Sequence, residues 1–183
     1  MRPESVETAV EVSQRTRKKP VLKQSKIIGD LMKILDNKTT EIFCKLVDSL
    51  SMNGHRKIIN EPFLPLIIER IWQGVETPYG VGDQYSLCHF YIQNHDVMVD
   101  PEMCFVVVDK RYGRNDAFDL VAVIPYMYQL ASLAIYQASI SFTDDKAALE
   151  DAEQQKEHCD FAEMWLRNIE AQGFLELIGG EEE

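Results

Sequence analysis

Two apolar runs set either side of a polar turn constrain this chain more than any other stretch. From Tyr85 to Gln93, Tyr85, Leu87, His89 and Tyr91 alternate with Ser86, Cys88, Phe90 and Ile92. Aromatic and branched side chains at a period of two predict a strand. A second run, Met103 to Asp109, contains Phe105-Val106-Val107-Val108, which predicts a strand buried on both faces. Between them, Asn94-His95-Asp96 has turn composition, because Asn and Asp bond their own backbone and tolerate positive φ. Asp100-Pro101 removes a donor and fixes one φ, so residues 97 to 102 read as a bulged or looped lead-in to the second strand.

The remaining chain sets the hairpin in an α+β frame. Its 183 residues, 45% of them apolar, suit one domain with a sizeable core. Residues 1–24 are polar, with a basic cluster of Arg15, Arg17, Lys18 and Lys19, and read as a mobile arm. Residues 25–35 have helical periodicity, and a second helix, capped by Thr39 or Thr40, is expected to run to about Met52. Pro62 suits the first turn of a helix that continues from Phe63 to Trp72. A third strand is predicted over Ala117 to Ile124, stopped or placed at an edge by Pro125. A fourth is predicted from near Ala134, in a stretch whose composition also suits helix. Thr143-Asp144-Asp145 reads as the start of a helix ending near Ala171, and residues 179–183 as a disordered acidic tail. The expected fold is α+β: N-terminal helices, a small antiparallel sheet of three to four strands, and a long C-terminal helix packed on the sheet, all within residues 25–178.

A formal net charge of -11 disfavours duplex nucleic-acid binding through the body of the domain. It suits a soluble surface, or docking on a basic partner. Cys44, Cys88, Cys104 and Cys159 show no metal-ligand spacing, so buried free thiols in a reducing cytoplasm are expected. No apolar run approaches the ~20 residues of a spanning helix. Neither a membrane association nor a cofactor is expected.

Reactive side chains crowd the hairpin. Asp96, Asp100 and Glu102 can supply the carboxylates of a divalent-metal site, with His89 or His95 as a further ligand or a base. Phosphodiester chemistry is the reaction such a site suggests. Against it, Asp109 and Lys110 are adjacent, so the acid-x-lysine pattern of restriction-type nucleases fails. In the alternative reading, Asn94 and Asp96 shape the turn, Asp100 starts the Pro101 turn, and Glu102 bonds backbone or Arg167. Arg167 and Asn168 then become buried partners of these acids. Gln93, Asn94, His95, Arg167 and Asn168 are the candidate binding residues, while His55 and His158 are expected at the surface.

Taken in order, FLPLIIERI, YSLCHFYIQNHDVMVDPEMCF, the later Tyr136-Gln137 and FAEMWLRNIEAQGF resemble a bacterial domain family of unknown function associated with plasmids, phages and integrative elements. The resemblance spans about residues 58–178. Its pattern at the turn is Gln-Asn-Gly-Asp, so His95 stands where the family has glycine. Either Asn94 carries the positive φ or the turn type has changed. The resemblance implies an accessory protein of a mobile element and supplies no active site. The expected function is a non-enzymatic interaction protein that binds an unidentified protein or itself. Metal-dependent phosphodiester processing, and nucleic-acid binding through Arg15, Arg17, Lys18 and Lys19, are the alternatives.

Overall fold

The computed structural model describes residues 32–178. The basic arm, the acidic tail and residues 25–31 of the expected first helix lie outside them. Helix α1 is Asn37–Asp48 and helix α2 is Ala152–Ala171. The strands are β1 (His55–Ile58), β2 (Leu66–Thr77), β3 (Gly80–Gln93), β4 (Asp96–Asp109), β5 (Val121–Leu130), β6 (Ile135–Ala138), β7 (Ile140–Thr143) and β8 (Lys146–Leu149).

These eight strands form one mixed sheet, in the order β6-β5-β4-β3-β2-β8-β7, with β1 added to β2. All pairs are antiparallel except β2 with β8, which meet in parallel at Glu76 and Lys146. This corrects the expected small sheet of three to four strands behind N-terminal helices. Among the described residues a single α-helix precedes the sheet, and residues 32–36 are not helical. The long C-terminal helix is present, but it begins at Ala152.

Three local features account for the difference. Phe63 to Trp72 contributes to β2 and forms no helix, because Leu66 to Arg70 pair with Tyr85 to His89 of β3. Thr143-Asp144-Asp145 is the β7–β8 turn, with both aspartates at positive φ (50° and 59°). Pro125 lies inside β5, at a register shift opposite Phe105, where the ladder asks no N–H of it.

Only Ser139 separates β6 from β7. Since β6 pairs with β5 and β7 with β8, the two ends of the sheet are one continuous segment, and the strand path closes on itself. Val75, Cys104, Val106, Ile124, Tyr126 and Ile140 fill the inner side. On the outer side, Leu66, Ile68, Tyr85, Leu87, Met103, Phe105 and Val123 pack against both helices. Phe105 to Val108 are all buried, as the run of valines implies. Burying each such Leu, Ile or Phe contributes roughly 1.5–3 kcal/mol.

The helices start where their caps allow. The Asp36 carboxylate accepts from the Thr39 N–H and hydroxyl to begin α1, so the cap lies before the two threonines. Asp151 accepts from the N–H groups of Glu153 and Gln154 to begin α2. Along α2, Gln155, His158, Cys159, Ala162, Trp165, Leu166 and Ile169 form one buried stripe at helical spacing. Gly173, at φ 84°, ends it.

Candidate interaction site

The β3–β4 hairpin extends beyond both of its neighbours. Pairing of β3 with β2 stops at His89, and pairing of β4 with β5 stops at Glu102. Residues 90–101 are therefore a two-stranded arm with no further strand paired to either side among the described residues. Asn94 and His95 close it as a two-residue turn, both at positive φ (54° and 74°). That is the backbone of a type I′ turn, whose twist matches the strands it joins. The turn type is thus the one a glycine at residue 95 would favour, and His95 occupies it.

Register decides which side chains share a face. Opposite residues on paired strands point the same way. Phe90 faces Val99, and Ile92 faces Val97, so one side of the arm carries four apolar side chains. Ile92 and Val97, next to the turn, are 70% and 65% exposed. At the base of this face the Lys57 ammonium sits 5.1 Å from the centre of the Phe90 ring, a cation–π contact.

The hairpin carboxylates do not converge. Between Cys88 and Phe90 the register slips by one residue, with Asp100 and Pro101 of β4 together opposite the single residue His89 of β3. A bulge of this kind reverses which side later residues face. Asp96 consequently lies opposite Gln93 on one side, and Glu102 opposite Cys88 on the other. Asp100 is also four strand steps from Asp96, about 13 Å. The Glu102 carboxylate accepts from the Ser86 hydroxyl at 2.6 Å. Among the described residues, no three His, Cys, Asp or Glu side chains are placed to hold a metal ion.

The other expected site residues take up structural positions. His89 is buried on the helix-facing side, its ring 5.6 Å from Trp165 and 5.5 Å from Phe174. Its Nδ1 lies 3.0 Å and 3.2 Å from the carbonyls of Leu64 and Pro65. Burial lowers its pKa, and those carbonyls oppose the shift. Gln93 and His95 are exposed at the arm's end. Arg167 pairs with Asp36 and Glu163 at the α1 N-terminus, away from the hairpin acids. Asn168 accepts from the Gln172 N–H through its backbone carbonyl at the end of α2. His158, expected at the surface, is buried with its Nδ1 2.9 Å from the Ser139 hydroxyl.

Arg111 was not among the expected site residues. It donates to both carboxylate oxygens of Asp48 (2.7 and 2.8 Å) and to Asp109 (2.7 to 3.1 Å), tying the end of α1 to the end of β4. Burial alone would raise the Asp109 pKa; the Arg111 bonds outweigh it and hold the carboxyl below its ordinary value. A cavity of about 190 Å³ adjoins this group, with Cys44, Asp83 and Tyr85 in its wall. Because the guanidinium is already bound to two carboxylates, the cavity offers an anion little. The apolar face of the arm was also missed, although its signal was present. With Asn94-His95 as the turn, Ile92 and Val97 are equidistant from it and must pair.

Residues 37–175 match a family model described as a domain of unknown function (DUF6908). No curated protein matches the chain, and no solved structure does.

Proposed function

This chain belongs to the DUF6908 family, and on that premise we propose that it is a non-enzymatic interaction module that offers its β3–β4 arm to a protein partner. The observation that carries this reading is the apolar face Phe90, Ile92, Val97, Val99 on a ribbon without flanking strands. An isolated two-stranded ribbon is marginal in water. Its apolar face and the edge of β3 left unpaired beyond His89 gain from being covered by a partner, through strand addition or side-chain packing. The separation of Asp96 from Glu102 onto opposite faces weighs against hairpin phosphodiester chemistry. From the resemblance of the sequence alone, the setting we infer is a plasmid, phage or integrative element.

The test is quantitative capture from the native host with the wild-type chain and with the double variant Ile92→Glu/Val97→Glu. A stable partner, or self-association seen by sedimentation, is expected for wild type and lost in the variant, with the melting temperature of the domain retained. Equal capture by both proteins, or no partner and no self-association for wild type, overturns the reading.

A further inference from the structure

At the other end of β3 and β2 a different surface is built. Strand β2 slips register twice against β3, between Arg70 and Trp72 and again between Trp72 and Val75. Bulges of this kind redirect a side chain out of the ladder. Trp72 is 55% exposed, a large apolar surface to leave in water. Its indole N–H donates to Asp145 Oδ1 at 3.0 Å, which ties the ring to the β7–β8 turn. Between ring and turn lies a cleft of about 390 Å³ walled by Ile71, Trp72, Val75, Phe142, Asp144 and Asp145, with Gln84 completing it. Val75 is buried beneath it, and Phe142 is backed edge-on by Tyr126 with ring centres 4.9 Å apart.

The lining is apolar below, aromatic on one side and anionic at the rim. No lysine or arginine contributes to it; nearby Lys146 pairs with Glu76 at 3.7 Å. We propose that this cleft binds a lysine or arginine side chain presented by a partner polypeptide. The aliphatic stem covers Ile71 and Phe142 above the buried Val75, as long cationic side chains cover apolar surface elsewhere. The charged head lies over the indole face, within reach of Asp144 and Asp145. Charge complementarity selects the occupant: an anion meets two carboxylates, and an uncharged apolar chain leaves them desolvated. The net charge of -11 favours the same class of partner. This inference deepens the reading of the protein as an interaction module, on residues separate from the arm.

The experiment measures fluorescence anisotropy of a labelled Gly-Ser peptide bearing arginine and lysine, titrated with the full chain. Binding that weakens with salt is expected. A counterpart with citrulline and norleucine in place of arginine and lysine should not bind. Trp72→Ala is expected to weaken binding by about fivefold to thirtyfold, with Trp72→Phe in between. Asp144→Asn/Asp145→Asn should weaken it similarly and flatten the salt dependence. Asp160→Asn removes one like charge from α2 and should leave binding unchanged, as should Ile92→Glu/Val97→Glu. The arm and the cleft can therefore fail separately. No binding, equal binding of the uncharged peptide, or equal losses in Asp160→Asn and the cleft variants overturns the proposal. Binding that emerges only after Arg15, Arg17, Lys18 and Lys19 are changed to glutamine gives the cleft to the chain's own arm, and overturns the claim of a separate partner.

Discussion

The Ser139 hydroxyl and His158 Nδ1 meet at 2.9 Å where β6 passes into β7, and both side chains are buried. Ser139 also gives its N–H to the Tyr126 carbonyl and accepts at its own carbonyl from the N–H groups of Glu150 and Asp151. One residue thus joins β5, the start of α2 and the seam of the sheet. His158 Nε2 has no hydrogen-bond partner among the described residues, and burial lowers the pKa of the ring against a weaker pull from Asp151. The unfolded chain accepts the proton first. The neutral ring's contribution is therefore complete above about pH 6.5 and is lost as pH falls from there through the folded value. The melting temperature should fall between pH 7 and pH 5. His158→Leu should reduce that slope, leaving the share due to His89, whose pKa is also lowered. Equal slopes for wild type and variant would contradict this account.

Gly82 is fixed by a close approach. A Cβ built there would lie 2.5 Å from the Val107 carbonyl oxygen and 2.9 Å from its carbon. Those atoms belong to the β4 backbone and cannot rotate away. Gly82→Ala is expected to cost about 1–3 kcal/mol as an overpacking change, read as a lower denaturant midpoint at constant slope.

The turn of the arm predicts the opposite sign. His95 holds φ 74° without glycine's freedom. His95→Gly should stabilise the domain by up to about 1 kcal/mol, since a side chain in the left-handed region costs on the order of 1–2 kcal/mol and glycine recovers part of this against its larger unfolded-state entropy. A thermal melt checks it. A fall in melting temperature would show that the imidazole makes a contact worth more than the backbone strain.

All four cysteines are buried. Burial pushes the thiols of Cys44, Cys88, Cys104 and Cys159 up to about 12. At pH 8 the native protein should resist a thiol-specific reagent, and all four should react once guanidinium unfolds it. Rapid labelling of any one in the native state would place it at a surface.

What was legible in the sequence was what pairs locally. Tyr85 to Gln93 and Met103 to Asp109 lie in β3 and β4, because alternation and valine runs have few other uses. Ile67, Ile68, Ile71 and Trp72 fit a helical stripe equally well, and pairing with β3 is what makes them strand. Thr143-Asp144-Asp145 suits a helix cap and a tight hairpin turn alike; the short strands on either side decide for the turn. His158 gave no sign of burial, since its partner Ser139 is nineteen positions away and brought near only by the sheet's curvature. The same holds for the cleft, since Trp72 and Asp145 are 73 positions apart. At the hairpin, composition gathered Asp96, Asp100 and Glu102, and one bulge sent Asp96 and Glu102 to opposite sides.

Closure of the strand path sets an order on how the domain can assemble. β3 joins its neighbours through short connections, whereas the ring is completed by the meeting of Glu76 with Lys146, 70 positions further along the chain. Contacts so distant repay their loop entropy last. The β2–β8 junction, held by one ladder pair, should also be the first to breathe. Hydrogen exchange at its amides should outpace that of β3 and β4.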